Sequence, residues 1–179
     1  MKKFTHLLFY VVAGILYSCT SEPSLQKYFV EKSQSTDFVA LDISPSILNL
    51  DPSKLTITQR EALSSFEKVN ILAFKLNEKN KMSFEKEHSA VKKILNTEKY
   101  QQLMKFGSGR EGVSVSCIGE GEHIDEFVLF ANQNESGFAV VRVLGEDMNV
   151  TTIFNMISIL KEANLDLDQL KPLQFLVKN

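Results

Sequence analysis

Apolar and polar positions along this chain repeat with two periods, one typical of helices and the other of strands. Leu25 to Lys32 carries Leu25, Tyr28 and Phe29 at helical spacing, which predicts a short amphipathic helix. Asp37 to Ile43 and Val69 to Leu76 are apolar runs of strand length. The first half of the chain therefore alternates helices with strands.

Three further helical segments are predicted around these strands. Thr58-Gln59-Arg60-Glu61 has the spacing of a capping box, so a helix should begin at Thr58 and bury Leu63 and Phe66. Ser83 should cap a longer helix, because apolar residues recur at helical spacing after it. A second helix is expected to follow through Tyr100, Leu103 and Met104, and the glycines of Gly107-Ser108-Gly109 should end it.

The pattern after residue 112 changes to short strands with turn residues between them. Val113 to Ile118, Glu126 to Ala131 and Phe138 to Leu144 are the predicted strands. Short connections between strands imply an antiparallel meander. Asn149 should then cap a helix that continues to a stop at Asn164.

The predicted order of elements is α-β-α-β-α-β-β-β-α, without repeats or low-complexity segments. This order predicts an α+β fold, with a mixed, mostly antiparallel sheet of about five strands and helices packed on one face. Residues 25–179 are long enough for one domain with a buried core. We therefore expect a single α+β domain over residues 25–179.

The first residues have the pattern of a secretory signal. Lys2 and Lys3 precede an apolar run from His6 to Tyr17, and the run is too short to span a membrane. It ends in Leu16-Tyr17-Ser18-Cys19, which resembles the lipobox of bacterial lipoproteins. The resemblance implies that residues 1–18 are a cleaved signal peptide, that Cys19 is lipidated, and that residues 19–24 form a short tether.

Lipidation of Cys19 would determine where the domain works. Two or more acyl chains give stable membrane anchoring, whereas one gives only marginal binding. Thr20 follows the cysteine where some lineages carry an aspartate for inner-membrane retention. We therefore expect a lipid-anchored protein of the cell envelope, at the outer membrane and facing the periplasm.

Charge and cysteine content narrow the classes of function. The 22 acidic residues outnumber the 20 basic ones, two of which, Lys2 and Lys3, leave with the signal peptide. A chain without basic excess is not expected to bind nucleic acid. Cys117 has no partner once Cys19 carries lipid, so it should be a buried, inert side chain in a strand.

One segment gathers residues that could bind a metal ion. Glu120, Glu122, His123 and Asp125 lie within six consecutive positions. Carboxylates suit calcium and an imidazole suits zinc. The alternative is a solvated acidic hairpin, since strand alternation would place these side chains on two faces. The spacing matches no EF-hand loop, so we predict no metal, no other cofactor and no catalytic residue.

The strand cores of the chain resemble a known family. Asp37-Phe38-Val39-Ala40-Leu41-Asp42-Ile43-Ser44 and Val69-Asn70-Ile71-Leu72-Ala73-Phe74-Lys75, after a lipobox cysteine and a short helix, resemble the envelope lipoprotein family catalogued as domain of unknown function 4252. The resemblance covers roughly residues 25 to 165. It implies a lipid-anchored, envelope-facing domain and supplies no catalytic residues.

These observations favour a non-enzymatic binding or accessory module, attached to the membrane through Cys19, with a possible protein partner in the envelope. Two alternatives stay open. One is a metal-dependent hydrolase that uses His123 and its neighbouring carboxylates. The other is a structural lipoprotein whose body acts only as a spacer.

Overall fold

The structure is a computed structural model that describes residues 23–45, 51–108, 111–121, 123–133 and 135–155. Its helices are α1 (Leu25–Lys32), α2 (Ile57–Ser65) and α3 (Lys81–Leu95), with a 3-10 turn at Pro52–Lys54 and further helical residues at 150–155. Its strands are β1 (Phe38–Ile43), β2 (Phe66–Lys75), β3 (Gln101–Ser108), β4 (Glu111–Glu120), β5 (His123–Gln133) and β6 (Gly137–Met148).

The strands form one open sheet in the order β1-β2-β6-β5-β4-β3, and every neighbouring pair is antiparallel. The predicted α+β class and the antiparallel meander are confirmed. The described sheet has six strands where about five were expected.

The additional strand is β3, and the helix predicted through Tyr100, Leu103 and Met104 is wrong. β3 pairs with β4 from Gln101 opposite Cys117 to Ser108 opposite Glu111. These hydrogen bonds to the next strand outweigh a weak local preference for helix.

One face of the sheet, here called the inner face, carries Leu72, Phe74, Val128 and Val140 and is covered by α1 and α3. Together with α1 and α3 side chains, these residues form the largest apolar cluster in the described part of the chain. Aromatic rings fill its centre. Phe74 stacks on Phe138 with ring centroids 5.5 Å apart, and Phe38 meets Phe74 edge to face at 5.1 Å. Full burial of such a side chain contributes about 1.5–3 kcal/mol.

The opposite face, here called the outer face, carries Val69, Val143, Phe127 and Cys117, as the strand register requires. Helix α2 packs on part of this face, and Ile153 packs on another part. The helices therefore lie on both faces, whereas the sequence predicted only one covered face. Large apolar side chains of β3 and β5 remain exposed on this face, among them Met104, Phe106 and Leu129.

The start of α2 differs from the prediction by two residues. The capping box is formed by Thr56 and Gln59, not by Thr58 and Glu61: Thr56 Oγ1 accepts from the Gln59 amide at 3.2 Å, and Gln59 Oε1 accepts from the Thr56 amide at 2.9 Å. Phe66, expected in the helix, is the buried first residue of β2.

Helix α3 also begins before its predicted cap. Asn80, and not Ser83, is the N-cap residue, and its side chain makes no capping hydrogen bond. Instead the buried Asn80 side chain donates to Asp37 Oδ1 at 2.9 Å and to the Lys75 carbonyl at 3.0 Å. Asn80 thus joins the start of α3 to the strands beneath it.

The C-terminal cap is confirmed, because Asn149 Oδ1 accepts a hydrogen bond from the Thr152 amide at 2.9 Å. The predicted continuation of this helix beyond residue 155, with its stop at Asn164, lies outside the described residues. Among the helices that are described, none combines the length and the apolar character that a membrane span requires.

Candidate functional site

Cys19 lies outside the described residues, so its lipidation stays a prediction. The described chain begins at Pro23, directly before α1. Ser24 is the N-cap of α1, and its side chain accepts from the Lys27 amide at 3.3 Å. The predicted tether therefore leads directly into a capped helix that packs on the inner face.

The acidic segment predicted as a candidate metal site forms the end of the β4–β5 hairpin. Glu120 lies directly opposite His123 in the strand register, and Gly121 turns the chain with a φ of 61°. Asp125 is exposed at an irregularity in the β5–β6 pairing, and Glu122 lies outside the described residues. The structure thus brings Glu120 and His123 together at an exposed turn.

His123 has a partner that the sequence did not reveal. Its Nδ1 lies 2.8 Å from Asp147 Oδ1, and both side chains are largely exposed. Asp147 adopts a left-handed φ of 50° near the end of β6. No group of three or more His, Cys, Asp or Glu side chains in the described part of the chain is arranged to hold a metal ion.

Cys117 is buried, as the sequence predicted. It lies on the outer face in an apolar cluster with Ile124, Phe127 and Met148. Burial raises the pKa of its thiol above the usual range. A protonated thiol is a poor nucleophile, so this environment suits a small apolar core residue.

A cavity of about 300 Å³ lies on the inner face, between the second half of α3 and the strands β3, β4 and β5. It is large enough to fall at the lower end of the range for small-molecule sites. Its polar and charged walls come from three elements, and include His88, Lys92, Lys105, Glu111, Ser114 and Ser116.

Small side chains on β4 account for the space. Ser114 and Ser116 point to the same face as Phe130 and Val128, their partners on β5. On the other side, Lys105 and Gln102 of β3 lie opposite the same two serines. Because serine fills little volume, the residues of α3 do not close onto β4 at this end of the sheet.

His88 forms the inner wall of this cavity. It follows Phe84 by one turn of α3 and is only 8% exposed. Its ring stacks on Phe84 with centroids 5.7 Å apart and also contacts Phe130 at 5.4 Å and Phe138 at 6.1 Å. His88 lies in the helix that was predicted after Ser83, but nothing local in the sequence indicated that a cavity would adjoin it.

The surroundings of His88 favour the neutral form of its imidazole. Burial lowers its pKa, and the positive charge of Lys92 lowers it further, against a smaller opposing effect of Glu85. Its Nε2 is buried without a hydrogen-bond partner among the described residues. An unsatisfied buried polar atom costs about 1–3 kcal/mol of stability.

A second polar cluster lies under α1 and is fully paired. Arg142 donates to both carboxylate oxygens of Glu126, each at 2.9 Å, and to Gln26 Oε1 at 2.9 Å. Nearby, the Tyr28 hydroxyl donates to Glu87 at 2.8 Å. Burial, assisted by the negative charge of Glu87, raises the pKa of Tyr28 far above its usual range. Gln26 and Arg142 thus attach α1 to the sheet, and Tyr28 and Glu87 attach it to α3.

Fold and cavity together define a class of protein, a small α+β domain with an open antiparallel sheet and a polar cavity under its helix-covered face. The family model described as Domain of unknown function (DUF4252) matches residues 29–156. The chain belongs to this family, as its strand cores indicated. Searches of the curated proteins and of the solved structures found no match.

Proposed function

We propose that this protein is a lipid-anchored binding or accessory module of the cell envelope, and that its ligand site is the inner-face cavity. The observation that carries the proposal is the cavity of about 300 Å³, whose walls combine the His88 ring and the hydroxyls of Ser114 and Ser116 with apolar side chains. A cavity with a few polar groups among apolar walls is the usual form of a small-molecule site.

The chemistry of the cavity supports binding more than catalysis. Ser114 and Ser116 line the same cavity as His88. A nucleophilic serine needs a hydrogen bond to its base. His88 Nε2 makes no such bond to either hydroxyl, and its pKa lies below the usual value, which weakens it as a base. We therefore propose a module that holds a ligand without transforming it.

The tether supports the proposed location. Residues 19–24 are short and polar, and the capped helix α1 begins directly after them. A lipid on Cys19 would keep the domain close to the membrane surface, which we propose is the outer membrane on its periplasmic side. An envelope protein that receives or supplies the ligand is the expected partner.

The anchor is tested by metabolic labelling with a radioactive fatty acid in a bacterial host that processes lipoproteins. The wild-type chain should be labelled and should sediment with membranes, whereas Cys19→Ala should lose both properties. Cys117→Ala is the matched control and should keep the label, because Cys117 is buried in the domain. Labelling that persists in Cys19→Ala would refute the anchor.

The cavity is tested by adding a small-molecule extract of the periplasm to the mature chain in lipid nanodiscs. Methyl resonances of Leu95, which lines the cavity, should shift in the wild type. Ser114→Phe should fill the cavity and abolish the shifts. Ser83→Phe is the control, because Ser83 is exposed on α3 and does not line the cavity. Equal shifts in Ser114→Phe and the wild type would place the site elsewhere.

A further inference from the structure

Positively charged side chains outnumber negatively charged ones around the cavity. Lys92 from α3 and Lys105 from β3 line it, and Glu111 from β4 is the carboxylate among the lining residues. The ammonium of Lys92 is near enough to His88 to lower the pKa of the imidazole. Two cations against one anion favour a ligand that carries negative charge.

The remaining walls offer both hydrogen bonds and apolar surface. The hydroxyls of Ser114 and Ser116 provide polar contacts on the inner side. Leu95 and Phe130 line the same space with apolar side chains, which are suited to contact a short hydrocarbon group. A ligand that matches both parts has an anionic end and a small apolar end.

We propose that the cavity binds a small amphiphilic carboxylate, whose carboxylate lies between Lys92 and Lys105 beside the hydroxyls of Ser114 and Ser116, while its short apolar part contacts Leu95 and Phe130. The inference rests on the proposed function, because it names the ligand class of the same cavity. The serine hydroxyls donate to the carboxylate. A hydrogen bond to a charged acceptor is about twice as strong as one between neutral groups.

The test uses butyrate as the probe, with butyramide as its neutral match and inorganic phosphate as an anion that lacks an apolar part. The mature chain in lipid nanodiscs is labelled with ¹⁵N in its histidines, and the imidazole resonances are followed during each titration. His123 is largely exposed and serves as the internal reference. Butyrate should shift the resonances of His88 and leave those of His123 nearly unchanged.

Variants assign the parts of the site. Lys92→Ala should raise the Kd for butyrate about threefold to fivefold, the effect of one partly exposed charge pair. Lys93→Ala is the matched control, because this neighbouring lysine is exposed and does not line the cavity.

The outcomes separate this inference from the proposed function. Equal binding of butyrate and butyramide, abolished by Ser114→Phe, would overturn the carboxylate and leave the cavity as the ligand site. Phosphate that binds as tightly as butyrate would overturn the apolar part of the assignment. Butyrate shifts that survive Ser114→Phe, or the absence of any shift at His88, would overturn the ligand class. An equal loss in Lys92→Ala and Lys93→Ala would overturn the role of Lys92.

Discussion

Replacement of Arg142 by methionine should destabilise the domain more than most single substitutions. Arg142 and Glu126 are buried on the inner face, at 3% and 6% exposure, and are joined by two hydrogen bonds of 2.9 Å. The guanidinium also lies over the ring of Phe29, 5.3 Å from its centroid, and donates to Gln26. Arg142→Met would leave the carboxylate of Glu126 buried beside a weak contact with Tyr100 at 3.4 Å.

Removal of one partner of a buried ion pair costs about 3–5 kcal/mol, because the other charge stays desolvated. Both side chains here are more than nine-tenths buried, so solvent screening does not reduce this estimate. A domain of this size has an unfolding free energy of about 5–15 kcal/mol. In urea, the midpoint of unfolding should therefore fall by about 2 M, given the usual dependence on denaturant.

A double variant distinguishes an unpaired charge from lost packing. Glu126→Leu combined with Arg142→Met replaces the pair by apolar side chains, and should recover most of the stability lost in Arg142→Met. Urea unfolding followed by circular dichroism measures all three proteins. A loss below about 1 kcal/mol in Arg142→Met, or a double variant no more stable than the single one, would refute the account of a desolvated carboxylate.

Three further changes test local features of the fold. The pKa of Tyr28 is raised in the folded protein, so the hydroxyl loses its proton more easily in the unfolded chain. The unfolding free energy should therefore fall as pH rises above about 10, and Tyr28→Phe should make this fall less steep. An unchanged slope in Tyr28→Phe would contradict this prediction. Thr56→Ala should lower the unfolding free energy measured in urea by about 1 kcal/mol, whereas Thr58→Ala should change it by less than about 0.5 kcal/mol. A larger effect of Thr58→Ala would indicate that Thr58 is the cap. Gly137→Ala should lower the melting temperature more than Gly121→Ala does. A Cβ at Gly137 would meet a carbonyl of β2, whereas a Cβ at Gly121 would meet open space. Equal decreases in the two variants would argue against the clash at Gly137.

The strands of the C-terminal meander were predictable because they are apolar runs of strand length separated by turn residues. β5 buries apolar residues on both faces, with Val128 and Phe130 on the inner face and Phe127 on the outer face. β3 lacks this signal. Its pairing with β4 shifts register between Gln102 and Met104, so the two-residue period is interrupted in the middle of the strand.

The boundary of α2 could not be decided from local residues. Two overlapping capping boxes begin at Thr56 and Thr58, and each has a glutamine or glutamate three residues later. The structure uses the earlier one, and Leu55 directly before it is buried against Ala62 and Phe66. The helix that begins after Thr56 therefore has an apolar contact with β2. This contact depends on the position of β2 and is not visible in the local sequence.

The cavity could not be predicted from the sequence, because one of its walls is β3, which was predicted as a helix. His88 was placed correctly on a helix, but Gln102 and Lys105, which form the facing wall, were assigned to a helix and not to a strand. The acidic hairpin with His123 was the visible cluster, because its residues are adjacent in sequence. Its partner Asp147 comes from another strand and could be found only through the fold.

The attachment of α1 determines how the domain responds to a pull on its N-terminus. Tension applied before Leu25 first reaches α1, which is bonded to the centre of the sheet through Gln26 and Arg142 and to α3 through Tyr28 and Glu87. Residues 33–37 then lead to β1, a strand at the edge of the sheet. Tension applied directly to β1 could break its hydrogen bonds to β2 one after another. As long as α1 stays attached, the load is spread across the broad face of the sheet and β1 is spared, so α1 acts as a mechanical clamp.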